Sequence, residues 1–248
     1  MSHTQLETQN PKLKTLNQLN YQEMNKIEAC IFDLDGVICD TAKYHFKAWQ
    51  RLANSLGFDF TEEENEQLKG VSRVESLNLI LNWGGKDIHD AEEKDILAAQ
   101  KNDWYLEFIQ HMTPKETLAG VEKFLKDLQK RGIKIALGSA SKNSKMILDR
   151  IGLTHYFEVI IDGNSTSKSK PHPEVFLLGA EQLGVLPKNT IVFEDAEKGI
   201  EAALNGGFYA VGIGKAVSLD EAHIVIPGFQ YIDLDEICEA LEASVGTI

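Results

Sequence analysis

From Thr113 onward, short and mostly apolar runs alternate with amphipathic stretches, and this alternation limits the fold more than any other feature of the chain. The runs at 133–137, 158–161, 190–193, 209–213 and 223–226 have the length and continuity of strands buried on both faces. Between them, 121–130, 143–151, 173–183 and 198–205 place apolar residues at helical spacing, and 234–243 reads as a closing helix. Gly132, Gly152 and Gly184 stop three of these helices. An earlier run, 27–34, supplies one more strand. Repeated units of this kind build an α/β domain with a parallel, Rossmann-like sheet covered on both faces. Ligands of such sheets bind outside the carboxyl ends of the strands.

Four polar clusters fall at that edge. The strand 27–34 delivers Asp33 and Asp35 one residue apart, followed at once by Gly36. Alternation along a strand puts both acids on one side. Glu194-Asp195 ends another strand. Carboxylates gathered in this way repel, and a hard divalent cation removes the conflict. Magnesium suits best, because it is held by one or two carboxylates together with substrate phosphate oxygens. Asp33 can then attack a phosphoryl group, and Asp35 can exchange a proton with the attacking or leaving oxygen. Ser139-Ala140-Ser141-Lys142-Asn143 lies between a strand and a helix, where hydroxyl and N–H groups bind anions; Ser141 also reads as a helix cap. Lys170 sits in a loop, 167–173, whose prolines start the next helix near its first turn.

Between Ala42 and Met112 no strand is evident. Asp40 or Thr41 caps a helix with Ala42, Phe46, Trp49, Ala53 and Leu56 on one face, and a long helix over 90–111 offers Ile96, Ala99, Leu106 and Ile109 for packing. The expected organisation is a leader or appended remnant without order over 1–26, a core domain over 27–41 and 113–248, and an inserted all-helical cap over 42–112 with hinges near Ala42 and Met112. Arg73 follows the glycine break Gly70-Val71-Ser72, where a guanidinium can grip phosphate.

A net charge of −13 and a pI near 5.0 argue against nucleic acid or an anionic membrane as partner. Cys30, Cys39 and Cys238 form no CxxC pair, which fits a reducing cytoplasm. No apolar stretch approaches the ~18 residues of a membrane span, and a monomer is the default expectation.

Phe32-Asp33-Leu34-Asp35-Gly36-Val37 with Thr41, Ser139, Lys170-Pro171 and Glu194-Asp195 resembles the four motifs of the haloacid dehalogenase superfamily of phosphoryl-transfer enzymes. Further stretches resemble its branch of glucose-phosphate mutases: Asp40-Thr41-Ala42 with His45 and Trp49, Leu68 through Arg73, Ser76, Lys101-Asn102, and 139–143. The resemblance implies that Asp33 becomes an aspartyl-phosphate and that Asp35 is the general acid/base. It implies magnesium held by Asp33, the Asp35 carbonyl, Glu194 and Asp195. Ser139 and Lys170 would stabilise the transferring phosphoryl group, and Arg73, Ser141 and Asn143 would hold the non-reacting phosphate. His45, Lys101 and the Gly70-Val71 turn would couple sugar binding to cap closure. Thr41, Trp49, Ser72, Ser76, Ala140 and Lys142 complete the substrate-binding set.

The implied reaction interconverts β-glucose 1-phosphate and glucose 6-phosphate through bound β-glucose 1,6-bisphosphate. Two positions depart from the pattern: Cys39, where threonine is commoner, and Phe193, where glycine is commoner. A sugar-phosphate phosphatase needs only the four core motifs and is the competing reading. A non-catalytic phosphosugar binder is a third, and it leaves Asp33 and Asp35 without a purpose.

Overall fold

The fold comes from a computed structural model, which describes residues 27–215 and 219–245. The leader expected over 1–26 lies outside the described residues. Six parallel strands form one sheet in the order β3-β2-β1-β4-β5-β6. They are β1 (Ala29–Phe32), β2 (Lys134–Gly138), β3 (Val159–Ile161), β4 (Thr190–Glu194), β5 (Tyr209–Ile213) and β6 (Ile224–Ile226). β1 is central, with Phe32 level with Leu137 on one side and Phe193 on the other. The ends of β1, β2 and β4 therefore open at one place, which carries Asp33, Ser139 and Glu194-Asp195. β1 is shorter than the expected strand over 27–34, because Asp33 and the residues after it turn away from the ladder to form the site.

Strand alternation divides the core in two. Cys30 and Phe32 face a cluster that includes Phe124, Phe193 and Phe229, backed by α5 (Val121–Lys130), α6 (Ser144–Ile151) and α9 (Leu234–Val245). Ala29 and Ile31 face the other cluster, with Val175 and Phe176 of α7 (Glu174–Leu183) and Ile200 of α8 (Glu197–Asn205). Phe193, the departure from the family pattern, stacks on Phe32 with ring centroids 4.8 Å apart and planes 13° from parallel. Its side chain fills the aromatic core and turns away from the acids. Gly152 and Gly184 end α6 and α7 with φ of 79° and 67°, conformations that cost side-chain-bearing residues about 1 kcal/mol or more.

Four α-helices stand between β1 and α5: α1 (Ala42–Ser55), α2 (Glu62–Glu66), α3 (Arg73–Trp83) and α4 (Ala91–Ile109). α2 opens on a capping box of Thr61 and Glu64, while Ser72 and Asp90 cap α3 and α4 through Glu75 and Glu93 N–H groups. A separate cluster of Trp49, Leu52, Leu77, Ile80 and Leu81 holds them together. The buried face of α4 is Ala98, Lys101, Tyr105 and Ile109. This corrects two expected packing positions: Ile96 is 61% exposed and Ala99 is also exposed. The reason is Lys101, a charged residue inside the buried stripe, which shifts the face by a fraction of a turn. Smaller corrections concern the caps. Thr41 precedes α1, but its side chain caps nothing there. Asn143, not Ser141, occupies the position before α6, and Pro173 precedes α7 instead of lying inside it.

Candidate active site

The acids of the site are held by backbone first. Asp33 N–H donates to the Phe193 carbonyl at 2.9 Å, which ties the residue after β1 to β4. Its carboxylate Oδ2 accepts the Asp35 N–H at 2.9 Å, and Oδ1 accepts from Lys170 Nζ at 2.6 Å. Lys170 Nζ also donates to Glu194 Oε2 at 2.7 Å. This lysine is 2% exposed, so one buried ammonium stands between two buried carboxylates. Burial works against its charge, and Asp33 and Glu194 together raise its pKa above the ordinary value. Asp195 lies 3.5 Å from Lys69, which pairs more closely with Glu66 at 2.9 Å.

Ligand oxygens of Asp33, Glu194 and Asp195 lie within 4.8 Å of one another. One cation between Asp33 and Glu194 does not balance this set. Burial, and then neighbouring carboxylates, push Asp35 up to about 8. Glu194 is pushed up to about 8 and Asp195 to about 7, in both cases chiefly by burial. Two glycines shape the cradle. A side chain at Gly36 would collide with the Asp195 carboxylate, and one at Gly199 with that of Glu194. Gly36 also has φ of +79°, which favours glycine for a second reason. Converging oxygen ligands, an excess of buried negative charge and backbone kept clear around them fit a hard divalent cation.

A cavity of ≈ 1290 Å³ opens above these acids. Asp33, Asp35, Lys170 and Asp195 line it from the sheet edge, with Ala140, Ser141, Lys142 and Asn143 beside them. His45, Trp49, Gly70, Val71, Ser72, Arg73, Ser76 and Lys101 line it from the inserted helices. Three residues expected at the site sit behind its wall. Glu194 is reached through Lys170, and Ser139 Oγ accepts the Ser141 N–H at 3.1 Å. Thr41 is fully buried and donates its hydroxyl to Asp35 Oδ1. It therefore orients the acid and is not placed to touch a sugar.

Lys101 Nζ lies 3.0 Å from His45 Nδ1 and over the Trp49 and Tyr105 rings, at 4.3 and 4.8 Å from their centroids. Burial, then repulsion from Arg73, hold its pKa well below the usual lysine range, although Asp35 opposes this. His45 is lowered likewise, by burial and then by Lys101, and so favours the neutral ring. Arg73, the first residue of α3, is half-buried with no acidic partner in an ion pair among the described residues. The cavity thus sets the Arg73 guanidinium on the wall facing an acidic floor.

Tyr105 escapes sequence reasoning, and Asn102 and Lys69, which lie in stretches that carry the resemblance, receive no role from it. Tyr105 is buried on the Lys101 face, with its ring centroid 4.2 Å from that of His45. Spacing four residues after Lys101 is the signal that finds it. Asn102 donates no helix cap, yet reaches Asn143 across the cavity edge. Lys69 reads as one of many surface lysines until its contact with Asp195 is seen.

The family model for haloacid dehalogenase-like hydrolases matches residues 30–213, and the chain belongs to this family. The six-stranded parallel sheet with its flanking helices is the family's fold. Within it, the chain is 40% identical over 217 residues to β-phosphoglucomutase of Bacillus subtilis (strain 168), a match covering 87% of this chain and 96% of that protein. It superposes on the crystal structure of β-phosphoglucomutase from Clostridium difficile with a TM-score of 0.85 at 41% identity, covering 89% of this chain and 99% of that one. It is also 30% identical to a phosphorylated carbohydrates phosphatase of Thermotoga maritima, over 87% of this chain and 99% of that protein. Among the described residues, no helix is long and apolar enough to cross a membrane.

Proposed function

We propose that the protein is a magnesium-dependent β-phosphoglucomutase that interconverts β-glucose 1-phosphate and glucose 6-phosphate. The observation that carries this is the second cationic pole of the cavity. A phosphatase needs a site for one phosphate, and Asp33 with Lys170 supplies it. Arg73 on one wall and Ser141-Lys142-Asn143 on another provide donors for a second phosphate in the same cavity. A bisphosphate intermediate requires both. The two similar β-phosphoglucomutases support the same reading.

In this reading Asp33 Oδ1 or Oδ2 attacks one phosphoryl group of the bisphosphate and becomes an aspartyl-phosphate, releasing a glucose monophosphate, while Lys170 balances the charge on the transferring oxygens and Ser139 holds the loop 139–143 from behind. Asp35, held by Thr41 and kept protonated near neutrality by burial, donates a proton to the leaving sugar oxygen. It takes one back when the sugar returns by its other end. Asp33, Glu194, Asp195 and the Asp35 carbonyl would hold magnesium, which lowers the repulsion between the acids and an anionic substrate when bound. The phosphoryl group on Asp33 passes to the free hydroxyl at the other end of β-glucose 1-phosphate, which forms the bisphosphate and frees Asp33; the bisphosphate then reverses its ends and returns its first phosphoryl group to Asp33, releasing glucose 6-phosphate.

Residues 42–112 act as a cap with hinges near Ala42 and Met112. Closing it excludes water from the aspartyl-phosphate, which is what separates a mutase from a phosphatase. His45, Trp49, Lys101, Ser72, Ser76 and the Gly70-Val71 turn form the sugar side of the closed site. We place the protein in the cytoplasm as a monomer, with its three cysteines free.

The test is Arg73→Ala assayed on β-glucose 1-phosphate. The mutase reading predicts a loss of glucose 6-phosphate formation of about tenfold or more, the scale of a lost charge-assisted contact to phosphate. Arg73→Ala with undiminished turnover to free phosphate supports the phosphatase reading instead.

A further inference from the structure

Asn102 stands beside Lys101 on α4 and has no part in the mechanism above. Its Oδ1 accepts a hydrogen bond from Asn143 Nδ2 at 3.0 Å. The two residues are 41 positions apart, one in the inserted helices and the other before α6 at the sheet edge. Both are partly buried.

The bond completes a chain through the phosphate loop. Ser139 Oγ accepts the Ser141 N–H at 3.1 Å, and Ser141 Oγ accepts the Asn143 N–H at 3.3 Å. Asn164 Nδ2 holds the Lys142 carbonyl at 3.1 Å. The backbone of the loop is therefore fixed from within, and the Asn143 side chain is fixed from the opposite domain wall. A primary amide has two N–H donors. With one given to Asn102, the carboxamide plane is set and the second N–H is committed in direction.

We propose that Asn102 is a positioning residue for the distal phosphate of the substrate. It orients the Asn143 amide so that the remaining N–H meets a phosphate oxygen. Because the bond joins the inserted helices to the sheet edge, it forms only when the two are apposed. Seating of that phosphate and closure over the sugar then favour one another. The inference rests on the reading of Asn143 as a phosphate ligand.

The experiment is a four-way comparison of the full chain: wild type, Asn102→Ala, Asn143→Ala and the double variant. Each is assayed on β-glucose 1-phosphate with magnesium and a trace of β-glucose 1,6-bisphosphate. Asn102→Ala should raise KM roughly three- to tenfold, the scale of one neutral hydrogen bond, with a smaller change in kcat. In the Asn143→Ala background it should add almost nothing, because its only route to the substrate is gone. Asn102→Leu, which fills the same volume without the acceptor, should match Asn102→Ala, and it carries the comparison if the alanine variant melts early. An unchanged KM in both Asn102 variants overturns the proposal. So do effects that multiply in the double variant, the signature of general damage to the fold. If wild type releases free phosphate instead of glucose 6-phosphate, the mutase reading fails separately, and the same four-way comparison on the hydrolytic KM decides the role of Asn102.

Discussion

Magnesium should stabilise this protein more strongly as pH rises from about 5 to about 7, and the acids beneath the cavity set the size of the effect. Glu194 and Asp195 are raised to about 8 and about 7 in the folded metal-free protein, chiefly by burial. In the unfolded chain they titrate near 4. Between those values the folded state holds protons that the unfolded state has released. The stability contributed by these groups therefore falls as pH rises through the window. A divalent cation takes the ionised carboxylates and must displace those protons at low pH. If one proton leaves on binding, apparent affinity grows about tenfold per pH unit. A gain of ~100-fold between about pH 5 and 7 corresponds to about 2.7 kcal/mol of added stabilisation. For a chain of this size that is roughly 5–10 °C in melting temperature.

His45 runs the other way. Its folded pKa is lowered, so its contribution to stability rises with pH up to the unfolded value near 6.5. Taking the difference between melting temperatures with saturating magnesium and with a chelator at each pH cancels this opposing trend. Differential scanning calorimetry measures both arms. An equal magnesium-induced shift at both pH values would mean that the acids are already ionised without the ion, and the burial argument would be wrong.

Two substitutions test the division of labour among the acids and Lys170. Asp35→Asn should reduce turnover on the order of 10²–10⁴-fold, the usual reach of general acid/base catalysis. It should keep the magnesium-induced shift in melting temperature, because the converging carboxylates are those of Asp33, Glu194 and Asp195. Lys170→Met leaves Asp33 and Glu194 buried without their shared cation. The expected loss is about 3–5 kcal/mol, read by thermal melting as a drop of roughly 10 °C. It should be smaller below about pH 8, where Glu194 takes up a proton, than above it, and a larger loss at low pH than at high would refute the assignment of the pair.

The strand-helix alternation from Thr113 onward translates directly into β2 through β6, because strands buried on both faces leave unbroken apolar runs. The acid pair is legible for the same reason: polar residues that close an apolar run stand at the sheet edge. The long helix α4 is harder. A period count assigns its buried face to apolar residues, and Ile96 and Ala99 satisfy it. The real face includes Lys101, whose charge is balanced by aromatic rings and by the site, neither of which is local in sequence. The contacts of Asn102 and Lys69 are hidden for a related reason, since their partners Asn143 and Asp195 lie 41 and 126 positions away (195 − 69). Thr41 shows a different limit. Its place before a helix predicts a cap, but its side chain turns instead to donate a hydrogen bond to Asp35. Phe193 departs from the family pattern beside the acids Glu194 and Asp195, and the alternation of β4 turns it into the aromatic core.

The central claim is that phosphate leaves one end of a glucose and returns to the other without reaching water. Phosphorus NMR of wild type with magnesium, β-glucose 1-phosphate and a trace of β-glucose 1,6-bisphosphate follows every phosphorus atom at once. Conversion of the glucose 1-phosphate signal into glucose 6-phosphate, with inorganic phosphate staying at the level of the enzyme-free control, is the predicted result. Growth of the inorganic phosphate signal in step with loss of substrate, with no glucose 6-phosphate, would contradict it.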